Sequence, residues 1–183
     1  MKLILKKLSI LTITFILLNS ILKAQTSESN VDQKGFVIRI GDNAEDFYIN
    51  YADGRKSEKL SDLKGKVVML QFTASWCGVC RKEMPHIEND IWKKYKDKGL
   101  IIIGIDLKET IDKAQNFSKI MKITYPLALD EEGEIFSLYA HPNAGVTRNV
   151  LIDKNGKIVF LTRLFEENEF KEMIKKIEIL LNN

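Results

Sequence analysis

Two cysteines separated by two residues, Cys77 and Cys80, are the only cysteines in the chain. A disulfide over so short a spacing closes almost no loop and therefore stabilises a fold little. A secreted domain held together by disulfides uses more cysteines at wider spacing. The spacing favours exchange chemistry, in which one thiolate attacks a disulfide and the second cysteine resolves the mixed disulfide. A structural pair without chemistry stays open as the alternative.

The elements around the pair indicate which cysteine attacks. Residues 67–72 (VVMLQF) form a nearly continuous apolar run, typical of a strand buried on both faces. Residues 77–96 have helical spacing of apolar side chains. Cys77 is thus predicted at a helix start, where free backbone N–H groups and the helix dipole stabilise a thiolate. We expect Cys77 to be exposed and to attack, and Cys80, one turn further in, to be more buried and to resolve.

Two other uses of the cysteines fit the sequence poorly. A protein zinc site usually needs four ligands, and the chain has two histidines, His86 and His141. His86 lies on the helix of the pair and is predicted to point away from it. A peroxidase cysteine follows a Pro and a Thr at set positions, whereas Thr73 stands four residues before Cys77 and no proline precedes it nearby. The prediction is therefore no metal and no cofactor other than a Cys77–Cys80 disulfide.

The remaining pattern predicts an α/β fold. A second apolar run at residues 100–105 follows the first helix, and this strand–helix–strand order implies a parallel βαβ unit with a right-handed crossover. Later segments are predicted as a helix, a hairpin with an Asn-Gly turn and a closing helix: residues 111–120, 150–161 and 170–181. Together they predict a mixed central sheet with helices on both faces.

The N-terminus has the pattern of a signal peptide. Its first 24 residues hold no acid and four lysines: Lys2, Lys6, Lys7 and Lys23. Residues 8–22 are mostly apolar, but this stretch is short for a membrane-spanning helix, which needs about 20 residues. We predict a signal peptide over residues 1–24, cleaved between Ala24 and Gln25, with an uncleaved anchor as the alternative. Both place the folded part outside the cytoplasm, in the periplasm or cell envelope.

The rest of the chain is predicted to form a linker over residues 25–35 and one domain over residues 36–183, which its length allows. Removing the four leader lysines from the 28 basic residues leaves 24 against 25 acidic residues. This near-neutral balance gives no basis for nucleic-acid binding.

Several motifs in a fixed order carry a resemblance to a known family. They are GDNAEDF at 41–47, GRK at 54–56, LSDLKGK at 60–66, WCGVCRKEMP at 76–85, and LID at 151–153 with GKI at 156–158. Over about residues 38–182 the sequence resembles the membrane-associated and periplasmic thioredoxin-like proteins of the TlpA/ResA type. The resemblance implies a thioredoxin-like fold with an N-terminal β extension and a helical insertion over about residues 108–123.

Two departures from the family concern the cysteine pair itself. Val79 occupies the third motif position, where proline is common in the family, so the reduction potential is expected to differ. Gln71 stands where thioredoxins proper have a buried aspartate that accepts protons, and an amide cannot titrate. Glu83, one turn beyond Cys80 in the family's C-x-x-E position, is the candidate base. A solvated helix charge is an equally compatible interpretation of Glu83.

A third departure concerns the substrate groove. Counting back from Asp153 puts Thr147 where the family has a cis-proline. Because a cis bond before another residue costs ~3–4 kcal/mol, the Val146–Thr147 bond is expected to be trans or strained. We expect Thr147 to contact the cysteine pair, and Pro142 to take that position only if the loop is remodelled. The predicted groove comprises Trp76, Gly78, Val79, Val146 and Thr147.

The resemblance also implies an activity and partners. The expected activity is that of a thiol–disulfide oxidoreductase, acting as a reductant on exported proteins with disulfides, apocytochromes before haem attachment among them. It implies a membrane electron donor, which the sequence does not identify, and we expect a monomer. The alternative is a thioredoxin-fold binding module with weak turnover, because the proline that shapes the groove is missing.

Overall fold

The computed structural model of the protein describes residues 34–182. Its strands are β1 (Tyr48–Ile49), β2 (Glu58–Lys59), β3 (Val67–Thr73), β4 (Leu100–Leu107), β5 (Leu127–Asp130), β6 (Arg148–Ile152) and β7 (Ile158–Arg163). Its α-helices are α1 (Gly78–His86), α2 (Lys93–Tyr95), α3 (Ile111–Met121), α4 (Glu134–Tyr139) and α5 (Glu167–Asn182). Short 3-10 turns span Leu60–Leu63 and Lys96–Lys98.

Five of the strands form one mixed sheet in the order β5-β4-β3-β6-β7. β3 pairs in parallel with β4, and β4 pairs in parallel with β5. β6 pairs antiparallel with β3, and β7 pairs antiparallel with β6. All seven residues of β3 are buried, which explains its unbroken apolar run. The parallel register ends with Thr73 opposite Asp106, so the C-terminal ends of β3 and β4 lie side by side where the chain turns toward the cysteines.

Helices cover both faces of this sheet, which confirms the predicted α/β class. Apolar side chains of α1, α3 and α5 pack on one face, in a cluster that includes Met84, Phe117 and Met173. On the other face α4 and the N-terminal segment pack together, in a cluster that includes Phe36 and Phe136. The cysteine pair lies at the edge of this second cluster.

The predicted N-terminal β extension is present and is tied to the sheet. β1 and β2 form an antiparallel ribbon, and the chain just beyond β1 runs antiparallel to β5, with Tyr51 bridged to Ala128. The predicted helix in the insertion is α3, which connects the parallel strands β4 and β5. Within residues 34–182, no helix has both the length and the apolarity to cross a bilayer. The predicted signal peptide and most of the linker lie outside the described residues.

The helix predicted over residues 77–96 is not uniform. α1 contains Pro85, and the next turn, Ile87–Trp92, is π-helical before α2 begins. Proline lacks the N–H that an α-helix needs at that position, and the ladder shifts to wider turns directly after it. The Asn89 side chain bonds the Pro85 carbonyl oxygen at 2.8 Å. The departure from α geometry begins beyond the cysteines and leaves the first turn of α1 intact.

Candidate functional site

The cysteine pair sits at the junction of β3 and α1. Cys77 is the N-cap of α1, and its Sγ accepts a hydrogen bond from the Cys80 N–H at 3.1 Å. The turn before it is closed by a bond from the Cys77 N–H to the Ala74 carbonyl at 3.1 Å. The two cysteines form a disulfide, with Cα atoms 5.3 Å apart. A β-strand that ends in a short turn and a helix N-terminus thus places the Cys77 sulfur next to a backbone N–H donor.

Burial distinguishes the two cysteines less than expected. Cys77 keeps 8% of its surface exposed and Cys80 keeps none. The order agrees with the prediction, but the expectation that Cys77 is exposed is wrong in this oxidised state. The physical reason is the side chain of Thr147, which lies against both sulfurs. Its Oγ1 is 3.1 Å from Cys77 Sγ and 3.2 Å from Cys80 Sγ.

Thr147 therefore has the contact expected for it, and Pro142 does not replace it there. The described residues contain no cis peptide bond, so the Val146–Thr147 bond is trans. A disulfide sulfur has no proton to donate, so the hydroxyl is the donor, and its single proton is shared between the two sulfurs. The Thr147 carbonyl in turn accepts a bond from the Leu164 N–H at 3.1 Å, which fixes the start of β6 against the end of β7.

The remaining groove residues differ in accessibility. Trp76 is 64% exposed, Gly78 is exposed and Val79 is half-buried. Val146 and Thr147 are buried in this state. A Cβ at Gly78 would meet no atom within 4 Å, so no close contact requires a glycine there. The predicted groove thus has an accessible rim beside Cys77 and a buried floor.

Glu83 is a buried carboxyl group and not a solvated helix charge. It is 1% exposed, and its Oε1 accepts a bond from Asn149 Nδ2 at 2.6 Å. Its Oε2 lies 3.4 Å from Gln71 Nε2. Burial raises the pKa of Glu83 to about 7, although these two donors oppose the rise. Since Glu83 stands three residues after Cys80 on α1, its carboxyl lies one turn away and can hold or release a proton near neutral pH.

Two further buried acids, not predicted from the sequence, lie behind the loop that leads to the cysteines. Glu109 accepts bonds from both the N–H and the hydroxyl of Ser75, each at 2.6 Å. Asp106 at the end of β4 is fully buried. Among residues 34–182, no N–H or hydroxyl group donates to its carboxyl oxygens, and its hydrogen-bond partner is the Glu109 carboxyl. Burial, followed by the neighbouring Glu109 carboxylate, raises the pKa of Asp106 to about 8. Glu109 thus anchors the loop, and Asp106 stays protonated beside it.

The histidines are not gathered with the cysteines into a metal site. In the described part of the chain, no three His, Cys, Asp or Glu side chains are arranged to hold an ion. The His86 ring stacks on Phe165 with centroids 4.9 Å apart, and its Nδ1 lies 3.4 Å from Asp90.

Comparisons with known proteins agree with this geometry. The model of the AhpC/TSA family matches residues 40–161. ResA, a thiol-disulfide oxidoreductase of Bacillus thuringiensis subsp. konkukian, is 38% identical over 141 residues, covering 76% of this chain and 79% of the relative. The ResA of Oceanobacillus iheyensis is 35% identical over 131 residues, covering 70% of this chain and 67% of the relative.

Solved structures give the same result. A candidate protein disulfide isomerase from Bacteroides thetaiotaomicron is 55% identical, with a TM-score of 0.78 over 81% of this chain and 94% of its own. A candidate thiol:disulfide interchange protein DsbE from Chlorobium tepidum is 31% identical. Its TM-score is 0.69, and the match covers 79% of this chain and 99% of the DsbE chain. These matches confirm the thioredoxin-like fold and the family resemblance. The chain therefore belongs to the AhpC/TSA family and, within it, to the thiol–disulfide oxidoreductases of the ResA type.

Proposed function

We propose that the protein is exported and reduces disulfides in other exported proteins, with Cys77 attacking, Cys80 resolving and Glu83 taking the Cys80 proton. The environment of Cys77 Sγ carries this proposal. The Cys80 N–H and the Thr147 hydroxyl both lie 3.1 Å from that sulfur. Two donors at a helix N-terminus favour negative charge on Cys77, and the thiolate is the attacking species.

The reaction starts from the reduced pair. The Cys77 thiolate attacks one sulfur of a substrate disulfide, so a Cys77–substrate disulfide forms and the other substrate sulfur leaves as a thiolate, which takes a proton from water. The Cys80 thiol then gives its proton to Glu83. The Cys80 thiolate then attacks the Cys77 sulfur. The Cys77–Cys80 disulfide forms, and the second substrate sulfur leaves as a thiolate. The substrate has gained two electrons and the protein pair has lost two.

The surface around Cys77 suits a protein substrate. Trp76 is 64% exposed and Leu164 is 44% exposed. Leu164 is bonded to Thr147 through its backbone, so exposed apolar residues belong to two segments that adjoin the cysteine pair. Apolar groups of this kind accommodate a segment of a protein partner. Exported proteins with disulfides, including apocytochromes before haem attachment, are the proposed substrates.

Export of the protein and its role as a reductant rather than an oxidant are supported by different observations. Residues 1–24 have the pattern of a signal peptide, and the resemblance to the TlpA/ResA type favours reduction, with a membrane dithiol protein as the proposed electron donor. A reductant should have a Cys77–Cys80 potential nearer the ~−270 mV of thioredoxin than the ~−120 mV of a strong oxidant. A redox titration of the pair against glutathione or dithiothreitol buffers measures it.

The division of labour is tested by trapping. Cys80→Ser should accumulate mixed disulfides with a reducible protein such as insulin, because the resolving thiolate is gone. Cys77→Ser should neither trap nor reduce insulin. Non-reducing gels with mass spectrometry identify the linked residue. Trapping by Cys77→Ser through Cys80 would reverse the roles. An intact pair that forms the mixed disulfide but reduces insulin no faster than the single-cysteine variants would instead indicate a binding module.

A further inference from the structure

A row of buried polar side chains crosses the sheet and contacts α1. The strand registers pair Gln71 of β3 with Asn149 of β6, and Asn149 with Thr162 of β7. All three are buried, and Glu83 is bonded to the first two. Asn149 Nδ2 also donates to Thr162 Oγ1 at 2.8 Å. Since buried polar atoms are normally kept where they are bonded, the row surrounds and supports one carboxyl group.

The orientation of Gln71 is fixed from its other side. The buried Tyr125 hydroxyl donates to Gln71 Oε1 at 2.7 Å. Gly104, opposite Gln71 on β4, makes room for this, because a Cβ there would lie 2.4 Å from Leu127 and 3.5 Å from the Tyr125 ring. Burial raises the pKa of Tyr125 well above its usual value, so it stays a donor. If Gln71 turned over, the buried Tyr125 proton would lose its acceptor, so Gln71 keeps Nε2 toward Glu83 and offers no acceptor to a protonated Glu83.

The amide of Asn149 is not held in one orientation in this way. On the described part of the chain, its Oδ1 has no hydrogen-bond partner. Its Nδ2 is bonded to Glu83 and to the Thr162 hydroxyl, and a hydroxyl serves equally as acceptor or donor. If the amide turned over, Oδ1 would accept from the Thr162 hydroxyl and from a proton on Glu83. Either orientation makes two bonds and leaves one outer atom unbonded, so turning costs no hydrogen bond.

We propose that Asn149 is a positioning residue for Glu83, presenting Nδ2 to the carboxylate and turning over to present Oδ1 when Glu83 carries a proton. The inference rests on the proposed role of Glu83 toward Cys80. A group that takes and returns a proton must be bonded in both forms, because an unbonded buried polar group is costly. Asn149, together with Thr162, gives Glu83 a hydrogen-bond partner in both its ionised and its protonated form. Gln71 provides a partner for the ionised form only.

The titratable groups that face this network are few. Tyr125 lies across Gln71 and responds to the charges of Glu83 and Glu88. The cysteine pair lies one turn back on α1, and as a disulfide it does not titrate. The oxidised protein therefore isolates the Glu83 titration from thiol chemistry, and Tyr125 ionises far above it.

The experiment is a pH titration of the oxidised protein by NMR, following the Glu83 carboxyl carbon and the side-chain amide groups of Asn149 and Gln71. The Asn149 amide should change its shift and solvent-exchange protection with the Glu83 midpoint. Nuclear Overhauser contacts from its amide protons to Glu83 should be lost in the acid form. The Gln71 amide should keep its contact with Tyr125 throughout. In Glu83→Gln the Asn149 response near neutral pH should disappear.

Variants separate the proposed role from packing. Asn149→Leu keeps the size but removes donor and acceptor. It should raise the Glu83 midpoint by about one pH unit, because the lost bond to the charged carboxylate is stronger than the lost bond to the neutral acid. Thr162→Val is the matched control. Its hydroxyl serves Asn149 in both orientations, so its loss should leave the midpoint within about 0.3 pH units of wild type.

An Asn149 amide that stays unchanged while Glu83 titrates would overturn the proposal, and so would contacts to Glu83 that persist in the acid form. This outcome needs no variant, so misfolding of Asn149→Leu cannot obscure it. It also needs no turnover. If the Asn149 amide signals do not change with pH but mixed disulfides still form at Cys77, only this inference is refuted. If no mixed disulfide forms at Cys77, the proposed function is refuted.

Discussion

Replacing Thr147 by valine removes one hydroxyl and keeps the branched shape. That hydroxyl lies 3.1 Å from Cys77 Sγ and 3.2 Å from Cys80 Sγ, and the other donor to Cys77 is the Cys80 N–H. When Cys77 is ionised, Thr147 can direct its proton to the thiolate. The variant therefore loses one of two donors to the charge that the exchange reaction needs, and the remaining donor belongs to the backbone.

The size of the effect follows from the cost of losing a hydrogen bond to a charged group, about 1.5–3 kcal/mol. The lower end suits a hydroxyl shared between two sulfurs, and about 1.4 kcal/mol equals one pH unit. The thiolate titration of the reduced variant should thus move to higher pH by about one unit. Where Cys77 is ionised in the wild type, the potential should fall by about 30 mV, because the reduced form loses stabilisation.

Ultraviolet thiolate absorbance against pH measures the first quantity, and a redox titration measures the second. Thr147→Ser is the matched control, since it retains the hydroxyl and should stay near the wild type in both. A titration of Thr147→Val that coincides with the wild type would refute the reasoning. A shift of the same size in Thr147→Ser would attribute the effect to lost methyl packing instead.

Two further predictions concern other parts of the chain. The folded protein should keep a proton on Asp106, whose pKa is raised to about 8, while the unfolded chain releases it near pH ~4. Stability should therefore fall as the pH rises from about 4 to about 8, and Asp106→Asn, which imitates the protonated acid, should lose this part of the slope in denaturant unfolding. An unchanged slope would contradict the assignment. The N-terminus of the protein recovered from the cell envelope should be near Gln25, and sequencing that finds an intact Met1 would refute cleavage.

Features set by local sequence are predictable. The apolar run of β3 identifies a central strand because a strand buried on both faces has no need of polar positions. The spacing after it predicts the cysteines at a helix start, and α1 begins at Gly78 with Cys77 as its cap. Counting residues back from Asp153 across β6 locates Thr147, and that count needs no knowledge of the neighbouring strands.

Features set by strand register are not predictable in this way. The contact of Asn149 with Glu83 depends on β6 pairing with β3 so that Asn149 lies opposite Gln71, and a slip of one residue would turn it to the other face. Glu109 reaches Ser75 because the ends of β3 and β4 are adjacent. A partial signal exists there, since polar residues following neighbouring parallel strands converge at one edge. Pro85 indicates an interruption of the helix, but the sequence does not indicate that the turn after it is π-helical.

Glu83 and Asp106, two of the buried acids of the described chain, differ in a way that separates their tasks. Both lose hydration, which favours the neutral form. Glu83 is opposed in this by two amide donors, so its pKa rises only to about 7. Asp106 has no donor among the described residues and a carboxylate beside it, so its pKa rises to about 8 from a lower starting value. A proton carrier needs both forms within reach at neutral pH. Glu83 meets that condition, and Asp106 is held in its neutral form next to the carboxylate that anchors the Ser75 loop.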